Sequence, residues 1–117
     1  MLRFRVLGSG STGNATLVEA GATRILLDAG LGPRELAERV QSAGVDPGSL
    51  SAIFLSHEHS DHARGAASFS RKHGVRLNGT RGTYAAAGFG AVEIAGYDVL
   101  EPGRACRVGD EIGRAHV

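Results

Sequence analysis

"LSHEHSDHARG" (residues 55–65) is the stretch on which the reading of this chain turns. It gathers three of the chain's five histidines, together with Glu58 and Asp61, between positions 57 and 62. The apolar run just before it, LSAIFLS (50–56), reads as a buried strand, so the polar stretch lies on the loop at that strand's C-terminal end. Side chains released there stand on a rigid base, which suits a functional site. In extended backbone, residues two apart point the same way, so His57 and His59 can converge on one metal ion through their ring nitrogens. Asp61 and His62 follow where the chain turns into a helix, and can offer an oxygen and a nitrogen to a second ion nearby. Nitrogen and carboxylate donors of this kind suit zinc, and also manganese or iron. Two such ions, about 3.5–4 Å apart, can clamp the attacking and leaving oxygens of a hydrolysis. A charged loop is ordinarily just solvated, and that reading is kept for Glu58, which falls between two donor positions and should face away.

Outward from this loop the chain reads as a mixed α/β layer structure. Leu2, Phe4 and Val6 alternate with Arg3 and Arg5, the period of a half-buried strand. GSGSTGN (8–14) is a turn-rich loop, and ATLVEA (15–20) and TRILLD (23–28) flank Gly21-Ala22 as a hairpin. Pro33 opens a helix with Leu36, Ala37 and Val40 on one face and Gly44 as its stop. DPGS (46–49) is a turn; ARGAASFSRKHG (63–74) reads as one helix, VRLNG (75–79) as a strand, and TRGTYAAAG (80–88) as a short helix capped by Thr80. AVEIAG (91–96) and YDVLEPG (97–103) read as further strands or turns. The sheet face carrying Leu26, Ile53 and Leu55 is expected to lack a covering layer.

The chain's 117 residues allow at most one ordinary domain. A net charge of +1 with no basic block argues against a dedicated polyanion binder. Arg71, Lys72 and His73, with Arg76, read as a solvated helix end. Cys106 is the single cysteine, so no disulfide framework is expected and a reducing cytoplasm is the default; its thiol reads as a small buried hydrophobe. The start, MLRFRVLGSG, lacks the features of a signal peptide, and no run is long enough to span a membrane. The expectation is a cytoplasmic protein with no membrane partner; the oligomeric state is left open.

HEHSDH (57–62) matches the H-x-H-x-D-H signature of the metallo-β-lactamase-fold hydrolases. LLDAG (26–30) looks like that family's strand-end aspartate motif. GSGSTGN (8–14) resembles the opening loop of one branch, the DNA-exonuclease-like proteins of the YycJ/WalJ type, and VDPGSLSAIFLSHEHSDHARG (45–65), LEPG (100–103) and VGD (108–110) run parallel to it. The resemblance implies the N-terminal half of an αββα sandwich, a mixed sheet with covering helices. It implies His57 and His59 on one divalent ion and Asp61 and His62 on another, zinc first among the candidates. It makes Asp61 and Asp28 the carboxylates of the catalytic machinery, Asp28 holding a ligand or the loop in place; a strand-end cap is the plainer reading of Asp28. Ser9, Ser11 and Asn14 become candidates for contact with substrate or phosphate, although turn-making is the stronger reading of that loop. The function implied is phosphodiester hydrolysis on DNA ends by a metal-bound hydroxide. The alternatives are a hydrolase of small thioesters, lactones or cyclic phosphodiesters, or a non-catalytic metal-binding fragment. A di-iron oxidoreductase fits less well, because such proteins tend to carry glutamate where this chain has His59.

The family also uses a further histidine, a bridging aspartate and a final histidine from its second half. After RVGD (107–110) this chain reads EIGRAHV (111–117), and His116 matches no ligand motif. EIGRAHV is the translation of the opening of a common sequencing adapter. The expectation is therefore half a domain over residues 1–110, a non-native tail over 111–117, and little activity for the chain as given.

Overall fold

The strand leading into the histidine loop is an interior strand of a six-stranded sheet in the computed structural model, which describes residues 2–101, 105–108 and 111–114. The strands are β1 (Leu2–Gly8), β2 (Ala15–Ala20), β3 (Thr23–Leu27), β4 (Ala52–Phe54), β5 (Leu77–Gly79) and β6 (Tyr97–Val99), and their spatial order follows the chain. β1, β2 and β3 are antiparallel neighbours, whereas β4, β5 and β6 continue parallel to β3. Ala20 pairs with Thr23, which closes the two-residue turn at Gly21-Ala22 with Gly21 at φ 60°.

Parallel neighbours need crossovers, and helices supply them. α1 (Pro33–Ser42) joins β3 to β4; α2 (Ser60–Ala63) and α3 (Ala66–His73) join β4 to β5; α4 (Arg81–Ala86) joins β5 to β6. Right-handed crossovers that always step in the same direction put their helices on the same face of a sheet. Burial agrees. The ladder Leu17, Leu26, Ile53 and Leu77 is 1% exposed or less and packs with Leu36 and Val40 of α1 and Phe69 of α3. Leu36 and Val40, one turn apart, form the buried stripe of α1. Arg39 on its outer side pairs with Glu35 at 2.6 Å and donates to the Leu7 carbonyl, tying α1 to β1.

This arrangement reverses one expectation. Leu26, Ile53 and Leu55 are buried, at 0%, 0% and 4% exposure, so theirs is the covered side. The uncovered face is the opposite one: Leu2, Phe4 and Val6 are 57%, 65% and 64% exposed, and Leu27 is also exposed. β1 exists where its alternation placed it, but its apolar side is not half-buried. Alternation reports that two faces differ; the direction of the crossovers decides which is covered.

Other differences are local. The single helix expected over 63–74 is split into α2 and α3 at Gly65, where a Cβ would run into the Leu31 carbonyl. The strand expected over 50–56 shortens to Ala52–Phe54, and the stretch around 91–96 forms a 3-10 turn (Phe89–Ala91) followed by bends. Thr80 caps α4, its Oγ1 accepting from the Thr83 N–H at 3.1 Å. Gly74 ends α3 in the left-handed region at φ 69°. A separate antiparallel pair, β7 (Ala105–Val108) and β8 (Glu111–Arg114), follows. The Cys106 side chain and residues 115–117, with His116 and the end of the expected tail, lie outside the described residues.

Candidate metal centre

Parallel sheets collect loops at the C-terminal ends of their strands, where α/β proteins build sites. Three loops meet there: residues 9–14 after β1, 28–32 after β3, and 55–59 after β4, which runs on into α2. Their backbones are stitched together. The Asn14 N–H donates to the Asp61 carbonyl at 2.7 Å, Ala29 N–H to the His62 carbonyl at 2.7 Å, and Gly30 N–H to the Asn14 carbonyl at 2.9 Å. Asp28 N–H donates to the Phe54 carbonyl at 2.7 Å and Gly65 N–H to the Ala29 carbonyl at 2.8 Å. Gly30 permits this approach, because a Cβ there would collide with the Asp61 carbonyl. The backbone of α2, which carries Asp61 and His62, is thus held by two other loops rather than by its own short length.

Asp28 sits at the centre. Its φ of 66° makes it the non-glycine residue with left-handed backbone among those described, a conformation aspartate tolerates better than most. That turn directs its carboxylate at the histidine loop. Oδ2 meets His62 Nδ1 at 2.7 Å, and Oδ1 accepts from the Ser56 N–H at 2.8 Å. Ser56 Oγ lies 2.9 Å from each carboxylate oxygen and 2.9 Å from His57 Nδ1. The His57 ring centroid is 3.9 Å from that of His62 and 4.7 Å from that of His59. Asp61 Oδ2 is 3.6 Å from His62 Nε2, the ring nitrogen that Asp28 leaves free. His57, His59, Asp61 and His62 are therefore gathered in one place, while Glu58 between them is exposed.

Asn14 is engaged from several sides. Its side-chain oxygen accepts from Gly10 N–H at 3.1 Å, and its Nδ2 donates to the Gly10 carbonyl at 2.9 Å and the Asp61 carbonyl at 3.0 Å. The same nitrogen is 3.4 Å from His62 Nε2. Ser9 and Ser11 are exposed on this loop, and among the described residues their side chains do not enter the network. Ser56 is the contributor that motif reading passed over. Its signal was its place, a hydroxyl directly between the buried strand and His57.

By the chemistry of its donors the cluster fits a divalent cation: three imidazoles and a carboxylate within six positions, with one ring anchored at Nδ1 by a carboxylate. As the side chains stand, no group of three or more His, Cys, Asp or Glu residues among those described is arranged to hold an ion. Among the described residues the donor types are present, but their side chains do not converge on one point.

Elsewhere, Arg76 grips Asp98 through two hydrogen bonds of 2.9 Å, which hold the Asp98 carboxyl below its usual range. The Tyr97 hydroxyl donates to the Thr80 carbonyl at 2.8 Å, and burial pushes its pKa up to about 12. No helix among the described residues is long and apolar enough to cross a membrane.

The family model of the metallo-beta-lactamase superfamily matches residues 8–107. Exodeoxyribonuclease WalJ of Streptococcus pneumoniae is 31% identical over 112 residues, covering 92% of this chain and 42% of that protein. Ribonuclease Z of Mycobacterium bovis is 42% identical over 69 residues, covering 53% of this chain and 24% of that protein. Among solved structures, Rm3 metallo-beta-lactamase superposes with a TM-score of 0.79 at 18% identity, over 97% of this chain and 48% of that one, a likeness of fold. The chain thus spans less than half the length of each of these proteins.

Proposed function

Because the chain belongs to the metallo-beta-lactamase superfamily, we propose that it carries part of the active site of a metal-dependent nucleic-acid hydrolase acting on phosphodiesters at DNA ends. The observation that carries this reading is the hydrogen-bonded set Asp28, Ser56, His57 and His62 beside Asp61 and His59, at the strand ends where three loops converge. A bound divalent cation, zinc before manganese or iron, supplies Lewis acidity, able to bring the pKa of a coordinated water to about 7.

The chain's own residues hold and orient. His57 and His59 would bind one ion through their rings, and Asp61 and His62 a second. Asp28 fixes the His62 ring by its bond to Nδ1, which leaves Nε2 directed toward Asp61. Asn14 pins the Asp61 backbone and so couples the glycine-rich loop to the donor loop. Ser9 and Ser11, whose hydroxyls are exposed on that coupled loop, are the candidates in this reading for contact with a phosphate oxygen. The exonuclease relative supports DNA as substrate, and the ribonuclease relative makes RNA the competing polymer. The place of action in this reading is the cytoplasm.

Metal content after equilibrium dialysis, with turnover of end-labelled DNA, RNA and a bis-aryl phosphate, tests the reading. His59→Ala and Asp61→Ala should lose most bound metal, whereas Glu58→Gln should retain it. Equal metal content in the parent chain and Asp61→Ala would sink the assignment. Cleavage of RNA in preference to DNA would move the substrate to the competing polymer.

A further inference from the structure

The hydroxyl of Ser56 stands among more partners than its single proton can serve. Within 2.9 Å of Oγ lie both Asp28 oxygens and His57 Nδ1, and His62 Nδ1 is at 3.4 Å. An ionised carboxylate only accepts hydrogen bonds, so the O–H must point to Asp28; otherwise the Ser56 lone pairs would face two carboxylate oxygens at contact distance. A charge-assisted O–H to carboxylate bond is also the stronger of the two choices. With its proton so committed, Ser56 Oγ can only accept from His57. The proton of the neutral His57 ring then sits on Nδ1, and Nε2 carries the free lone pair.

His62 obeys the same logic without an intermediary. Its Nδ1 donates directly to Asp28 Oδ2 at 2.7 Å, and its Nε2, 3.4 Å from Asn14 Nδ2, keeps its lone pair. Asp28 thereby sets the tautomer of both rings, one directly and one through a serine. The Ser56 N–H bond to Oδ1 keeps the carboxylate turned toward the hydroxyl.

We infer that Ser56 is a positioning residue that relays the orientation imposed by Asp28 to His57, fixing its ring as the Nδ1–H tautomer with Nε2 available to a divalent cation. This rests on the reading of His57 as a metal donor, but the tautomer itself belongs to the metal-free chain. Orienting partners of this kind act on affinity, so removing the hydroxyl should weaken cation binding roughly 10- to 100-fold. Ser56→Ala deletes the relay while keeping the backbone N–H bond to Asp28, and Ser56→Thr retains the hydroxyl.

The experiment uses the metal-free chain with nitrogen-15 in its histidine rings, at a pH where the rings are neutral. Two-bond proton–nitrogen correlations report which ring nitrogen carries the proton, and zinc titration of the same samples reports affinity. The expected result is an Nδ1–H His57 in the parent chain and in Ser56→Thr. Ser56→Ala should show a His57 relaxed to a mixture of tautomers, with His62 unchanged and zinc affinity lowered. A His57 in the same single tautomer in Ser56→Ala, or an Nε2–H His57 in the parent chain, overturns the inference. Should the parent chain bind no zinc, the metal reading falls, and the ring signals still decide the role of Ser56.

Discussion

A single polar side chain in this molecule is defined by what its neighbours leave it to do. Asn14 shows this on the glycine loop, where its carboxamide is spent on Gly10 and Asp61, so it fastens one loop to another. His73 shows it away from the site. It closes the last turn of α3 against the Phe69 ring, at a centroid distance of 4.5 Å. Burial there lowers its pKa from the ordinary 6.5, neighbouring Lys72 lowers it further, and Asp46 opposes them. The folded chain thus resists a proton that the unfolded chain accepts. The contribution to stability is complete above pH 6.5 and is lost as pH falls from 6.5 through the lower folded-state value. His73→Gln should flatten that part of the stability-against-pH curve, measured by urea unfolding between neutral and mildly acidic pH. Parallel curves for parent and variant would show that His73 titrates alike in both states.

At the scale of elements, the site depends on how closely loops approach. α2 is only 4 residues long and gains its position from backbone bonds to Asn14 and Ala29. A helix so short cannot hold itself, because nucleation costs more than one turn returns. Gly30 is the narrowest point of that contact, since even one added methyl would meet the Asp61 carbonyl and the His62 amide. Gly30→Ala should therefore cost about 1–3 kcal/mol or more, as overpacking does, and should displace Asp61 and His62 from Asp28. Denaturant unfolding and the His62 ring signals provide the check. A variant of unchanged stability with His62 Nδ1 still bonded to Asp28 would mean that the loops have slack. The sequence announced a donor loop at a strand end; it did not announce that a glycine three residues past another strand holds that loop in place.

Over the whole molecule, the second face of the sheet is open to solvent at its β1 edge among the described residues. Leu2, Phe4, Val6 and Leu27 present exposed apolar surface, and among the described residues β1 is an edge strand of the sheet. The isolated chain is expected to self-associate through this face in a concentration-dependent way. Phe4→Lys with Val6→Lys should drive it toward monomer, because two buried charges would oppose the contact. Light scattering coupled to size exclusion measures both. A monodisperse monomer of the parent chain at high concentration would show that the face tolerates water.

What the sequence determined by itself was whatever short-range chemistry can encode. The strand periods, the Gly21-Ala22 turn, the Pro33 start of α1, the Thr80 cap and the spacing of His57, His59, Asp61 and His62 are all local patterns, readable without knowing where the chain goes next. The mixed α/β class and the metallo-beta-lactamase resemblance followed from them, and both agree with the sheet and with the family match over residues 8–107. The tertiary structure alone decided which face of the sheet is buried, because alternation is symmetric and the crossovers are not. It alone split α2 from α3 at Gly65, where the clash is with Leu31, far away in the chain. It alone brought Asp28, Ser56, His57 and His62 into one hydrogen-bonded set, because Asp28 and His62 are separated by 34 positions and meet only when β3 and β4 lie side by side.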